Sequence, residues 1–146
     1  MENNLNFKIY TDGGARGNPG PAAVGIVIDG SGISKKIGEY IGETTNNEAE
    51  YRAVIIAMKK LKQIIGSDKA GQAKLDFFVD SELLAKQLNG EYKIKEENLQ
   101  KLFIELWNLK LDFGNVSFTH VLRGKNKEAD KLVNEALDRE TAKFNI

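Results

Sequence analysis

Four acidic residues stand where acids are costly unless they are used. Ile9-Tyr10-Thr11-Asp12 and Phe77-Phe78-Val79-Asp80 are apolar segments that each terminate in an aspartate. Glu50 falls in the first turn of a helical pattern, in register with Val54, Ala57 and Leu61, so it points toward the buried side. Asp130 stands in the same relation to Val133, Asn134 and Leu137. An acid in a first helical turn interacts favourably with the helix dipole, which accounts for Glu48, expected to turn outward. An acid on a packing face needs a partner as well. No basic residue is interleaved with these acids, so bringing them together sets like charges against one another. Divalent cations relieve that repulsion. Mg²⁺ and Mn²⁺ prefer oxygen ligands, and two such ions clamp the attacking and leaving oxygens of a phosphodiester displacement without any side-chain nucleophile.

Composition narrows the alternatives. The chain has 146 residues, which suits one domain over 1–146. The absence of cysteine excludes disulfides, thiolate metal sites and cysteine nucleophiles. A single histidine excludes a multi-histidine zinc site and disfavours a serine triad. Lys+Arg and Asp+Glu are both 21, so there is no basic surplus, and binding to nucleic acid must rest on local patches or bound cations. No apolar run is long enough to span a membrane, and Met1-Glu2-Asn3-Asn4 lacks the basic and apolar parts of a signal peptide. A cytoplasmic monomer without membrane contact or an obligate protein partner is expected.

The elements that must position the acids follow from periodicity. Leu5 to Asp12 alternates as a strand, and Gly13 to Gly20, rich in glycine and bounded by proline, reads as a loop. Ala22–Ile28 and Ser34–Ile41 are strands joined by the turn Asp29-Gly30-Ser31-Gly32. Thr45-Asn46-Asn47-Glu48 matches a capping box, and the helix it opens runs to about Ile65, where Gly66 stops it. A polar loop over 66–73 precedes the strand Leu75–Val79, a short helix Ser81–Leu88 and a helix Glu97–Lys110 with Leu99, Leu102, Phe103, Leu106 and Leu109 at helical spacing. Asn115–Val121 is the last strand, and Asn126 is expected to cap a final helix with Ala129, Leu132, Val133, Ala136 and Leu137 on its apolar face. The order βββ-α-β-α-α-β-α predicts an α/β fold: an antiparallel start, then crossovers, giving a mixed five-stranded sheet flanked by helices. If the two aspartate-ended strands are parallel neighbours, Asp12 and Asp80 share the sheet edge at which open α/β sheets bind ligands.

Taken together, Tyr10-Thr11-Asp12-Gly13-Gly14 with Gly17-Asn18-Pro19-Gly20, Thr45-Asn46-Asn47-Glu48-Ala49-Glu50, Val79-Asp80-Ser81 and Asn126-Lys127-Glu128-Ala129-Asp130 resemble ribonuclease H type 1, in order and over nearly the whole chain. The resemblance implies a ribonuclease H-like fold. It implies a Mg²⁺-dependent endonuclease that hydrolyses the RNA strand of RNA–DNA hybrids by a two-metal-ion mechanism, leaving 3′-hydroxyl and 5′-phosphate ends, with Mn²⁺ as a substitute ion. Asp12, Glu50, Asp80 and Asp130 match the metal-binding catalytic acids, with Asp12 bridging both ions and Glu50 also meeting a ribose 2′-hydroxyl. Asn18, Asn46 and Asn47 match minor-groove contacts, where amides both donate and accept. Thr45 matches part of a phosphate pocket for the DNA strand beside its capping role. Ser81 offers a phosphate contact or simply caps its helix. Gly13 and Asn126 complete the implied substrate contacts.

The chain departs from the family pattern in places. Glu82 replaces a frequent glutamine, which puts a base contact in doubt. The segment 89–98 joins two helices directly, so a basic protrusion found in some members is absent. The loop that carries a catalytic histidine in other members is here Leu122-Arg123-Gly124-Lys125. Arg123 is the candidate for that role. His120, inside a β-branched run, reads as a packing residue. Trp107 reads as core or edge packing. The alternative function is a catalytically inactive module of the same fold that binds hybrid or double-stranded RNA. A small-nucleotide binder is disfavoured, because the chain has neither a Walker lysine nor G-x-G-x-x-G after the strand.

Overall fold

A computed structural model describes residues 5–144; Met1–Asn4, read above for a leader, lie outside the described residues. The elements are β1 (Asn6–Ala15), β2 (Gly20–Gly30), β3 (Ile33–Thr44), α1 (Asn46–Ile65), α2 (Ser67–Ala70), β4 (Lys74–Val79), α3 (Glu82–Leu88), α4 (Glu97–Lys110), β5 (Asn115–His120), a 3₁₀ turn (Arg123–Lys125) and α5 (Lys127–Phe144). The sheet has the order β3-β2-β1-β4-β5. β1, β2 and β3 pair antiparallel, whereas β4 runs parallel to both β1 and β5. The predicted mixed sheet with flanking helices is therefore the observed one. No described helix is long and apolar enough to cross a membrane.

Side-chain alternation sorts the core onto the two faces. Phe7, Ile9, Ile26, Ile28, Leu75 and Phe77 meet Val54, Met58, Leu61, Leu84, Leu99 and Leu106 in one continuous cluster. A smaller cluster of Ala23, Val133, Ala136 and Leu137 lies under α5 on the other face. α1 is sandwiched between the sheet and α4, which is why Tyr51 and Ile55 are buried along with the expected stripe. The buried Tyr51 hydroxyl donates to Gln87 Oε1 at 2.7 Å, so neither polar group is left unpaired.

Several expectations need correction. The Gly13-Gly14 stretch is strand rather than loop: β1 continues past Asp12, pairing Gly13 with Val24, Gly14 with Ala23 and Ala15 with Ala22. Only the parallel ladder to β4 stops, at Thr11 and Val79. Residues 66–73 contain the short helix α2. His120 ends β5 exposed, so it is not a packing residue. Trp107 is 48% exposed and stacks on Phe103 at the edge of α4.

The glycines of β1 and β2 let two helices sit directly on the sheet. A Cβ on Gly13 would lie 2.3 Å from the backbone of Ala49 in α1. A Cβ on Gly25, the cross-strand partner of Asp12, would lie 2.0 Å from the Ala129 carbonyl oxygen in α5. Both helices thus reach β1 beside Asp12 with their first turns. Gly25→Ala should destabilise the fold by roughly 2–3 kcal/mol, because a backbone cannot yield as a side-chain tip does. Gly14→Ala, whose Cβ would make ordinary contact at 3.5 Å with Val133, should be close to neutral. Denaturant unfolding of both variants checks this; equal stability of the two would contradict it.

Candidate active site

Asp12 leaves the parallel ladder just where β4 ends, Asp80 follows β4, and the first turns of α1 and α5 bring Glu50 and Asp130 from opposite faces of the sheet. An open cleft of about 420 Å³ collects them. Carboxylate oxygens of Asp12, Glu50 and Asp80 lie within 4.8 Å of one another. Asp130 lines the same cleft, and its charge reaches Asp12.

The electrostatics are those of crowded acids. Burial first, then the charge of Asp80 and, more weakly, that of Asp130, push Asp12 up to about 7, against a smaller lowering by its contact with Glu50. Burial, followed by the charges of Asp12 and Asp80, holds Glu50 well above the ordinary carboxylate range. Glu50 Oε2 is buried without a hydrogen-bond partner. None of the four acids has an ion-pair partner among the described residues. An all-oxygen donor set with an orphaned buried oxygen and no base ion-paired to it among the described residues fits a hard divalent ion.

Around the acids, the expected residues divide. Gly13, Asn46, Asn47, Ser81 and Arg123 line the cleft with them; Asn18, Thr45 and Asn126 do not. Asn126 was expected to cap α5 through its side chain. Instead its Nδ2 donates to the Thr11 carbonyl at 2.8 Å and to Asp80 Oδ2 at 3.3 Å, and its Oδ1 has no partner. It therefore orients Asp80 and ties α5 to the end of the β1–β4 ladder. Asn18 Oδ1 accepts from the Asn46 N–H at 3.0 Å, and Asn46 Oδ1 accepts from the Ala15 N–H at 2.8 Å. With one lone pair of each carbonyl engaged, these amides are held in orientation and keep their N–H groups for a ligand. Thr45 and Glu48 complete a full capping box. Ser81 Oγ accepts from the Leu84 N–H at 3.1 Å, so it caps α3 while lining the cleft. Arg123 is exposed on the 3₁₀ turn.

Sequence reasoning missed the far wall of the cleft, where Arg16, Val133, Asn134 and Leu137 extend it beyond the acids. Arg16 Nη2 donates to Asp138 Oδ1 at 2.7 Å, clipping the glycine-rich turn to α5. The available signal was Asn134, one helical turn beyond Asp130, together with a lone arginine among glycines.

The raised Asp12 makes a signed prediction. Its carboxyl titrates near about 4 in the unfolded chain but near 7 in the fold, so the folded state binds the extra proton between these values. Its contribution to stability is complete below about pH 4 and is lost as pH rises toward 7. Without divalent cations, Asp12→Asn should be more stable than the parent at about pH 8, by roughly 1–4 kcal/mol, with the gap closing toward pH 4. Thermal melts of both proteins in chelator across that range read the gap directly, and a gap that does not change with pH would contradict the crowding.

The comparisons agree with this geometry. A family model described as reverse transcriptase-like matches residues 10–136. The chain is 40% identical over 131 residues to ribonuclease HI of Halobacterium salinarum, covering 88% of this chain and 63% of that protein. It is 30% identical over 149 residues to ribonuclease H of Desulforamulus reducens, covering 88% and 87%. A crystal structure of LC11-RNase H1, isolated from compost by a metagenomic approach, was solved in complex with an RNA/DNA hybrid; it superposes with a TM-score of 0.85 at 44% identity over 92% of this chain and 99% of that one. The chain spans 63% of the length of the halobacterial relative and 35% of that of similar mycobacterial proteins. Matched by the family model over residues 10–136 and by named ribonuclease H relatives and structures over most of its length, the chain belongs to the ribonuclease H type 1 family.

Proposed function

We propose that the chain is an endonuclease that hydrolyses the RNA strand of RNA–DNA hybrids, leaving 3′-hydroxyl and 5′-phosphate ends. The observation that carries this is the convergence of Asp12, Glu50 and Asp80 within one open cleft, none of them ion-paired among the described residues. Asp12, Glu50, Asp80 and Asp130 would hold two Mg²⁺ ions, with Mn²⁺ as a substitute. When bound, such ions supply an activated water and stabilise the developing charge on the phosphate oxygens. The relatives' names and the hybrid bound to LC11-RNase H1 support the same substrate class.

The chain's own residues select and position. The free amide N–H groups of Asn46 and Asn47, at the N-terminus of α1, can donate to acceptors in a wide minor groove, where 2′-hydroxyls separate RNA from DNA. Asn18 acts through Asn46, whose backbone it fixes. Asn126 fixes Asp80. Arg123, always charged, cannot shuttle a proton, so its role is to stabilise charge on the scissile phosphate or to draw the product phosphate away. A single catalytic domain acting in the cytoplasm is part of the same proposal. A purely binding module of this fold would have no use for several crowded, unneutralised acids.

Incubation with a labelled hybrid, with and without Mg²⁺, beside duplex DNA and duplex RNA, tests the activity. Asp12→Asn and Asp80→Asn should each lower cleavage by orders of magnitude in a folded protein, and near-native activity in either would refute the two-metal reading. Because several successive 2′-hydroxyls are contacted, a duplex with a single ribonucleotide should be cut poorly. Arg123→Ala should lower turnover roughly tenfold to a hundredfold, with partial recovery in Arg123→Lys. His120→Ala, at an exposed strand end, should leave stability nearly unchanged.

A further inference from the structure

α4 carries two apolar stripes. Leu99, Leu102, Leu106 and Leu109 form the inner one and pack into the core beside α1. The ion pairs Lys59–Glu105 at 2.8 Å and Lys62–Asp112 at 3.0 Å hold the helix in that seat. The outer one is Ile104, Trp107 and, just past the helix end, Leu111, continued toward the N-terminus by Gln100, whose amide donates to the Ile94 carbonyl at 2.8 Å. Ile104 is 61%, Trp107 48% and Leu111 69% exposed. Beside them lies a groove of about 460 Å³ whose lining includes Tyr92, Ile94, Phe103 and Ile104. No residue of α4 lines the acidic cleft. A helix that is apolar on two sides is suited to burial on both, and a contiguous exposed apolar patch marks an interaction surface.

We propose that this stripe is the interface of a homodimer in which α4 packs antiparallel against α4 of a second copy. The charge pattern selects that occupant. Glu97 stands at the N-terminal end of the stripe and Lys110 at its C-terminal end, and neither has an ion-pair partner among the described residues. Lys110 lies over its own Trp107 ring, 5.2 Å from the centroid, at the rim of the patch. Antiparallel pairing about the point between Phe103 and Ile104 sets Phe103 against the partner's Ile104, Gln100 against the partner's Trp107 and Glu97 against the partner's Lys110. One two-fold operation makes every one of these contacts twice, as an isologous interface requires. The indole enters next to the partner's groove, the kind of aromatic anchor that dominates interface energy. One helix per copy buries little area, so the dimer is weak, with a dissociation constant on the order of 10–100 µM. This inference does not rest on the hydrolase reading, and it departs from the monomer expected from the sequence.

Trp107 is the chain's single tryptophan, so its emission reports burial of the stripe. Sedimentation velocity and emission spectra from roughly 1 to 500 µM should show a monomer giving way to a dimer as the emission shifts to the blue. Ile104→Glu should abolish the dimer with helical content unchanged. If that variant fails to fold, Trp107→Gln, on the same exposed stripe and set against the partner's Gln100, should weaken the dimer in sedimentation. Glu97→Lys and Lys110→Glu should each weaken self-association, because each homodimer then opposes like charges. An equimolar mixture of the two should associate more tightly than either alone, because the heterodimer restores opposite charges at both ends. A chain that stays monomeric with unchanged emission, a dimer that survives Ile104→Glu, or a mixture no tighter than its components would each overturn the proposal. So would a blue shift of dilute monomer on adding RNA–DNA hybrid, which would assign the stripe to nucleic acid.

Discussion

The structure is organised around a repulsion. Strand, helix and glycine placement all press carboxylates against Asp12, which is itself only 7% exposed. Gly13 admits the first turn of α1 to within backbone contact, and Gly25 does the same for α5 from the opposite face. Glu50 and Asp130 therefore arrive at the end of the β1–β4 ladder on rigid backbone rather than on flexible loops. Burial and like charge then keep Asp12 and Glu50 protonated to far higher pH than free carboxyls. Such an arrangement lowers the stability of the cation-free fold and raises its affinity for a compensating cation, the stability cost that functional sites characteristically carry.

Polar groups around the acids serve that geometry. Asn126 joins the Thr11 carbonyl to Asp80, so the acid beyond β4 is held by the segment that leads into α5. Ala15, Asn46 and Asn18 form a chain of hydrogen bonds that fastens the end of β1 to the start of α1. Arg16 and Asp138 clip the following turn to α5. The remaining wall of the cleft is the 3₁₀ turn on which Arg123 stands exposed.

Much of this is legible in the amino-acid sequence. The period-two alternation of Leu5 to Asp12, the capping box at Thr45 and the echo of two aspartate-ended strands are local signals, and each corresponds to an observed element. Helical register also puts Glu50 and Asp130 at the buried side, because Val54 and Val133 lie on faces that pack. What escaped depends on partners remote in sequence. Gly13-Gly14 looks like a loop to any local rule, yet the glycines are there because α1 and α5 lie against the strand. An asparagine before a helix looks like a cap, but the amide of Asn126 turns to the Thr11 carbonyl and Asp80 and its Oδ1 takes no helix N–H. His120 sits in an apolar run, but its strand is at the sheet edge and it is the last residue. The outer stripe of α4 was hidden because its inner stripe alone satisfies the helical pattern.

The central claim is that burial and mutual crowding keep Asp12 and Glu50 protonated until cations displace the protons. Isothermal titration of Mg²⁺ or Mn²⁺ into the chain at about pH 6.5, repeated in buffers of different ionisation enthalpy, counts the protons released on binding. The account predicts cation binding with release of roughly one to two protons per chain, diminished in Asp12→Asn and Glu50→Gln. Binding without proton release, or no cation binding in the intact chain, would contradict it.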